Sequence, residues 1–143
     1  MTMPNIFKVP RNRKALDQLY LTGKSPHSNE LEGAYTVQML TGIIPDFSWL
    51  GHTKNFRHTA NGVEGENRFG AGFEWGKFCV QEQNWPNGTQ TVINYAQPSN
   101  LFSRGIRDTL VIVEPGRVYL GKFYYVVGGK PRFFGYFLLI KQE

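Results

Sequence analysis

The chain has 143 residues, a mass of 16.4 kDa and a formal charge of +5, with 15% aromatic and only 19% charged residues. That is the size of one domain, residues 1–143, and too aromatic a composition for a disordered tail. A single cysteine, Cys79, excludes an internal disulfide and a cysteine-based zinc site.

The charge is unevenly placed. Residues 1–24 carry Lys8, Arg11, Arg13, Lys14 and Lys24 against Asp17, a net of +4, which leaves +1 for the rest. A nucleic-acid binder spreads positive charge over a face that tracks phosphates, and here the basic residues do not interleave with the aromatics. Nucleic acid is therefore not an expected partner. Contact of residues 8–24 with an anionic surface is, beside the plainer reading of a solvated terminus. The opening residues lack an apolar signal core, and the longest apolar run, 133–140, is far below a membrane helix. A cytoplasmic location is expected.

In chain order, residues 12–21 read as a helix. Asn12 is the N-cap, Leu16, Leu19 and Tyr20 repeat at helical spacing, and Gly23 is the stop. From Gly33 onward strand follows strand, at about 33–40, 52–59, 63–69, 73–82, 90–96, 106–114, 117–127 and 130–141. The turns between them are legible. Asn61-Gly62 and Asn87-Gly88 are hairpin signals, because a type I′ turn needs positive φ at both central positions. Gly70-Ala71-Gly72 suits a bulged hairpin, Glu114-Pro115-Gly116-Arg117 a type II turn, and Gly128-Gly129 a two-residue hairpin. Eight hairpin-linked strands behind one helix predict an all-β fold, an eight-stranded antiparallel up-and-down barrel over residues 33–141. Two apolar connections, 41–51 and 97–105, place Trp49 and Phe102 at its mouth as lid residues.

Register set from the turns puts Arg57, Glu64, Glu66, Arg68 and Glu74 on one face as an outward charge ladder. Phe56, His58, Asn67, Phe73 and Trp75 then point inward. The last three strands are apolar on both faces. The set Ile106, Asp108, Leu110, Ile112, Tyr119, Phe123, Tyr125, Phe134, Tyr136, Leu138 and Ile140 is assigned inward, since tyrosine suits an apolar cavity with a few polar tips. The other face must be covered by the N-terminal helix or by a second copy, and a homodimer is the corollary.

Familiar catalytic patterns are missing. Gly70-Ala71-Gly72-Phe73-Glu74-Trp75-Gly76 links two strands rather than opening a helix, so it is no dinucleotide loop. The three histidines lack metal-ligand spacing, so neither a metal nor another cofactor is expected. Cys79 reads as a packing residue. One of Arg107 and Asp108 must face the interior, where a charge needs a partner or a ligand. An inward Arg107 would hold an anionic headgroup, and an inward Asp108 could pair with Arg132, Tyr125 or Tyr136.

The leading helix, Gly33-x-Tyr35 at the first strand and the eight hairpin-linked strands resemble the calycin group: lipocalins, fatty-acid-binding proteins and nitrobindin-like barrels. Lipocalins place Trp where this chain has Tyr35. The resemblance implies binding of a hydrophobic small molecule, with or without an anionic group. It also leaves room for a cofactor-free cyclase or isomerase. The binding reading takes Tyr35, Trp49, Trp75, Phe102, Arg107, Tyr119, Tyr125 and Tyr136 as the lining. The enzyme reading takes Asp108 with Tyr125 or Tyr136 as general acid and base. A structural or interaction module is the third option.

Overall fold

The computed structural model describes residues 9–42, 44–70, 72–85 and 88–142. Among these residues one α-helix, α1 (Arg13–Thr22), precedes eight strands: β1 (Gly33–Met39), β2 (Thr53–Thr59), β3 (Gly62–Arg68), β4 (Glu74–Trp85), β5 (Gly88–Asn94), β6 (Ile106–Glu114), β7 (Val118–Val127) and β8 (Lys130–Lys141). Each strand pairs antiparallel with its neighbour in sequence, and β1 closes on β8. The fold is the closed up-and-down barrel that the turn spacing predicts, and closure leaves no sheet edge exposed.

The helix forms for the expected local reason. Asn12 Oδ1 accepts the Ala15 N–H at 2.8 Å. Gly23 ends it differently from expectation, because its φ of −81° is extended rather than left-handed. Glycine is needed there for space, since a Cβ would lie 2.8 Å from the Val111 Cβ. Leu16 and Tyr20 are thereby pressed onto Val111, Val118, Leu120, Tyr136 and Leu138. The apolar outer face of β6–β8, from which a homodimer was expected, is thus occupied by α1.

Two registers differ from the sequence reading. Thr59 pairs with Gly62, so the β2–β3 turn is Ala60-Asn61, one residue earlier than expected. That slide conserves faces, and the ladder survives: Glu66 meets Arg57 diagonally across strands at 2.5 Å and Arg68 along its own strand at 3.2 Å. On β8 the faces reverse. Val127 pairs with Lys130 as the Gly128-Gly129 hairpin requires, but a bulge between Phe123 and Tyr124 shifts the register, and beyond it Tyr119 pairs with Leu139. A one-residue shift exchanges the two faces. Phe137 and Leu139 therefore point inward, while Tyr136 and Leu138 join the cluster under α1. The inward assignment of Tyr136, Leu138 and Ile140 is corrected accordingly. On β6 and β7 the assigned set is inward, with Ile106, Leu110 and Tyr119 in the interior cluster. The turn expected at Asn87-Gly88 and that at Gly70-Ala71-Gly72 fall partly outside the described residues.

The interior is filled at one end only. Leu31, Tyr35, Phe56, Val63, Phe78 and Tyr119 plug the end where β1 begins. Toward the other end, bounded by the β1–β2, β3–β4, β5–β6 and β7–β8 connections, the interior opens into a cavity.

Candidate functional site: a cavity over a buried ion pair

The cavity measures about 260 Å³. Its walls are Val37, Met39, Ile106, Phe123, Phe137 and Trp75, and its mouth is framed by Ile44, Pro45, Phe47, Phe69 and Phe73. His52, Lys54, Tyr95 and Asp108 are the polar side chains of its inner wall.

Lys54 and Asp108 come from opposite walls, β2 and β6. Lys54 Nζ lies 3.4 Å from Asp108 Oδ2, and their side chains are only 5% and 1% exposed. Two charges this deep need each other and further hydrogen bonds. Lys54 also donates to Asn67 Oδ1 at 2.9 Å and to the Tyr95 hydroxyl. Three acceptors around one nitrogen match the three protons of an ammonium. The rings of Tyr95, Phe78 and Phe137 surround that nitrogen, with centroids 5.0, 5.7 and 5.8 Å away. Burial pushes the Lys54 pKa down and the Asp108 pKa up, and each charge opposes the shift of the other.

Asn67 orders the group. Its Oδ1 accepts from Lys54 and from His52 Nε2 at 3.1 Å, and its Nδ2 donates to the Tyr95 hydroxyl at 2.8 Å and to the Gly76 carbonyl at 3.3 Å. Since that oxygen can only accept, His52 carries its proton on Nε2, and Nδ1 is a bare lone pair. Burial, then the Lys54 charge, pulls the His52 pKa down to about 4, so the ring is neutral near pH 7. A bulge lets the strands supply these groups. Glu66 pairs with Lys77 but Asn67 with Trp75, leaving Gly76 as the extra residue at φ +58°. A Cβ there would sit 3.0 Å from the Tyr95 ring.

Five buried side-chain polar atoms among the described residues lack a hydrogen-bond partner. Tyr35 and Tyr119 hydroxyls are two, in the plugged end, their rings 5.8 Å apart. The other three, His52 Nδ1, Trp75 Nε1 and Asp108 Oδ1, belong to residues lining the cavity. Buried polar groups are normally satisfied, so these three atoms are hydrogen-bonding positions open to whatever enters the cavity.

The residues expected at the site divide sharply. Trp75 and Asp108 line the cavity. Tyr35 and Tyr119 are inside the barrel but in the plug. Tyr125 closes the β5–β6 connection, its hydroxyl donating to the Phe102 carbonyl at 2.8 Å. Tyr136 stands outside under α1 and donates to Asp17 Oδ1 at 2.5 Å. Arg107 also faces out, donating to the carbonyls of Arg104 and Ile106, each at 2.8 Å. Trp49 and Phe102 are 77% and 89% exposed and do not reach the cavity. Lys54, His52 and Tyr95 are not among the residues that the sequence singles out for the site. Strand alternation contained the signal for Lys54, two residues before Phe56 on the inward face of β2.

Among the described residues, no three His, Cys, Asp or Glu side chains converge as metal ligands. None of their helices is long and apolar enough to cross a membrane.

No family model matches the chain, and no curated protein matches it. The fold has a solved counterpart. The crystal structure of a protein from Thermomonospora curvata superposes over 92% of this chain and 88% of that one, with a TM-score of 0.56 and 13% sequence identity. At that identity the likeness concerns the fold alone.

Proposed function

We propose that the barrel binds a hydrophobic small molecule in this cavity, and that the molecule's polar group is a neutral hydrogen-bond donor such as a hydroxyl. The carrying observation is the set of orphaned atoms. Two of the three, Asp108 Oδ1 and His52 Nδ1, are acceptors, and Trp75 Nε1 is the one donor. A hydroxyl donates to an acceptor and can accept from the indole, while its chain fills the aromatic mouth. A carboxylate would set its own lone pairs against those of Asp108 and His52. The charge of Lys54 is already matched by Asp108, and Arg107, the anchor considered for an anionic headgroup, is outside. The binding reading is thereby narrowed to neutral ligands. The volume suits a ligand on the order of ten non-hydrogen atoms, taking about 30 Å³ per water-sized group.

Titration with 1-decanol tests this reading. Quenching or shifting of Trp75 emission, lost in Trp75→Phe, is expected. No change with decanol or any other neutral amphiphile of similar size would defeat it.

Asp108 Oδ1 also favours a second reading, a cyclase or isomerase in which this carboxylate takes a proton from an apolar substrate. Tyr95 then stands beside it in the place considered for Tyr125 or Tyr136. Deuterium uptake from solvent into a bound enolisable ketone, abolished by Asp108→Asn, would support this reading; no uptake would reject it.

A further inference from the structure

The eight large apolar side chains exposed among the described residues are not scattered. Leu21 is on α1. The other seven lie at the mouth: three in the β1–β2 connection including Trp49, Phe73 between β3 and β4, Leu101 and Phe102 between β5 and β6, and Val127 at the β7–β8 hairpin. Antiparallel closure brings those four connections to one end. Leu21, in the last turn of α1, is the one such residue toward the other end among the described residues. Exposed apolar side chains gathered at one end of the barrel in this crown mark an interaction surface. The cavity opens within it, since Ile44 and Phe73 both line the cavity and are exposed.

Charge identifies the partner. Arg104 is exposed in the β5–β6 connection, and Lys130 and Arg132 are exposed beside the β7–β8 hairpin. The basic start of α1 lies toward the same end, with the Arg13 guanidinium 4.8 Å from the ring of Phe133 near that hairpin. Arg11 and Lys14 are exposed next to it. Of the acids near this end, Glu74 is bridged to Arg68, Asp17 lies 4.0 Å from Arg13, and Asp46 accepts from Met39 N, Ser48 N and Ser48 Oγ. We propose that the mouth of the barrel docks on an anionic lipid surface, with Trp49, Leu101 and Phe102 seated among the headgroups and the flanking basic side chains facing lipid phosphates. Tryptophan and phenylalanine at loop tips, ringed by lysine and arginine, suit the chemistry of that interface. The crown and its charges carry this proposal independently of what the cavity holds.

The test is co-sedimentation with vesicles of phosphatidylcholine alone and of phosphatidylcholine with 30% phosphatidylglycerol. Wild type should bind the anionic vesicles at least fivefold better than the neutral ones, with a blue shift of tryptophan emission. Trp49→Ser with Phe102→Ser should abolish that binding, and Lys130→Glu with Arg132→Glu should weaken it severalfold. These side chains are exposed, so an unchanged circular dichroism spectrum is expected for each variant. Equal binding by wild type and the serine variant, or none to anionic vesicles, would overturn the proposal. So would a concentration-dependent dimer in sedimentation equilibrium that the serine variant abolishes, because the crown would then be covered by a second copy.

Discussion

Lys54 on β2 and Asp108 on β6 meet across the lumen, Nζ to Oδ2 at 3.4 Å, and so tie opposite walls of the barrel together beneath the cavity. Removing one partner leaves the other charge buried and unmatched. Lys54→Met or Asp108→Leu alone is expected to cost about 3–5 kcal/mol of stability, whereas the double variant should recover most of it. Urea unfolding of the four proteins, read as a double-mutant cycle, measures the coupling. Additive losses would show that the two side chains do not act as a pair.

His52 makes stability depend on pH. Its folded pKa, near 4, lies below the unfolded value of about 6.5. Between those values the unfolded chain binds more protons, so stability rises with pH across the window and falls as pH drops through it. The sign is that of a buried neutral histidine. The contribution, complete above about pH 6.5, shrinks by roughly 3 kcal/mol by pH 4. Denaturation midpoints between pH 4 and 7 check this, and His52→Gln should flatten the curve in that range.

Gly76 links the β4 bulge to the site. Gly76→Ala must hold alanine at φ +58° with a Cβ 3.3 Å from Asn67 Nδ2. Strain of about 1–3 kcal/mol is expected, together with displacement of Tyr95 and Asn67 from Lys54. The corresponding change at Gly72, where φ is +85° and no atom lies within 4 Å of the added Cβ, should cost only the backbone part. Thermal melts and amide chemical shifts around Tyr95 separate the two.

The helix is structural support. Leu16 is fully buried against the outer face of β6–β8. Leu16→Ala should destabilise by about 2–5 kcal/mol and leave decanol affinity within twofold at temperatures where the protein is folded. A selective loss of affinity would give α1 a part in the site.

Much of the architecture was legible because turn chemistry is local. The Gly128-Gly129 hairpin, the Glu114–Arg117 turn and the Asn12 cap each rest on a few adjacent residues, and together they set strand number and order. The faces of β8 were not legible, because the bulge opposite Phe123 and Tyr124 is set by packing between strands rather than by a turn residue. That one shift carried Tyr136 from the expected cavity to the surface beneath α1. Trp75 and Asp108 were reachable by strand alternation, and so was Lys54, although lysine is rarely sought inside a barrel. Tyr95 falls within the strand expected at 90–96, on the same face as Ile93, but its meeting with Lys54 and Asn67 joins residues far apart in sequence and no local pattern shows it.

The unpaired acceptors Asp108 Oδ1 and His52 Nδ1 make the cavity select a neutral donor over an anion. The most direct measurement compares 1-decanol with decanoate, matched in chain length, by isothermal titration calorimetry at pH 7.5 on wild type and Asp108→Asn. Decanol should bind wild type at least about tenfold more tightly, a difference near 1.4 kcal/mol, and the preference should shrink in the variant. Decanoate binding as tightly as decanol, or more tightly, would contradict the account.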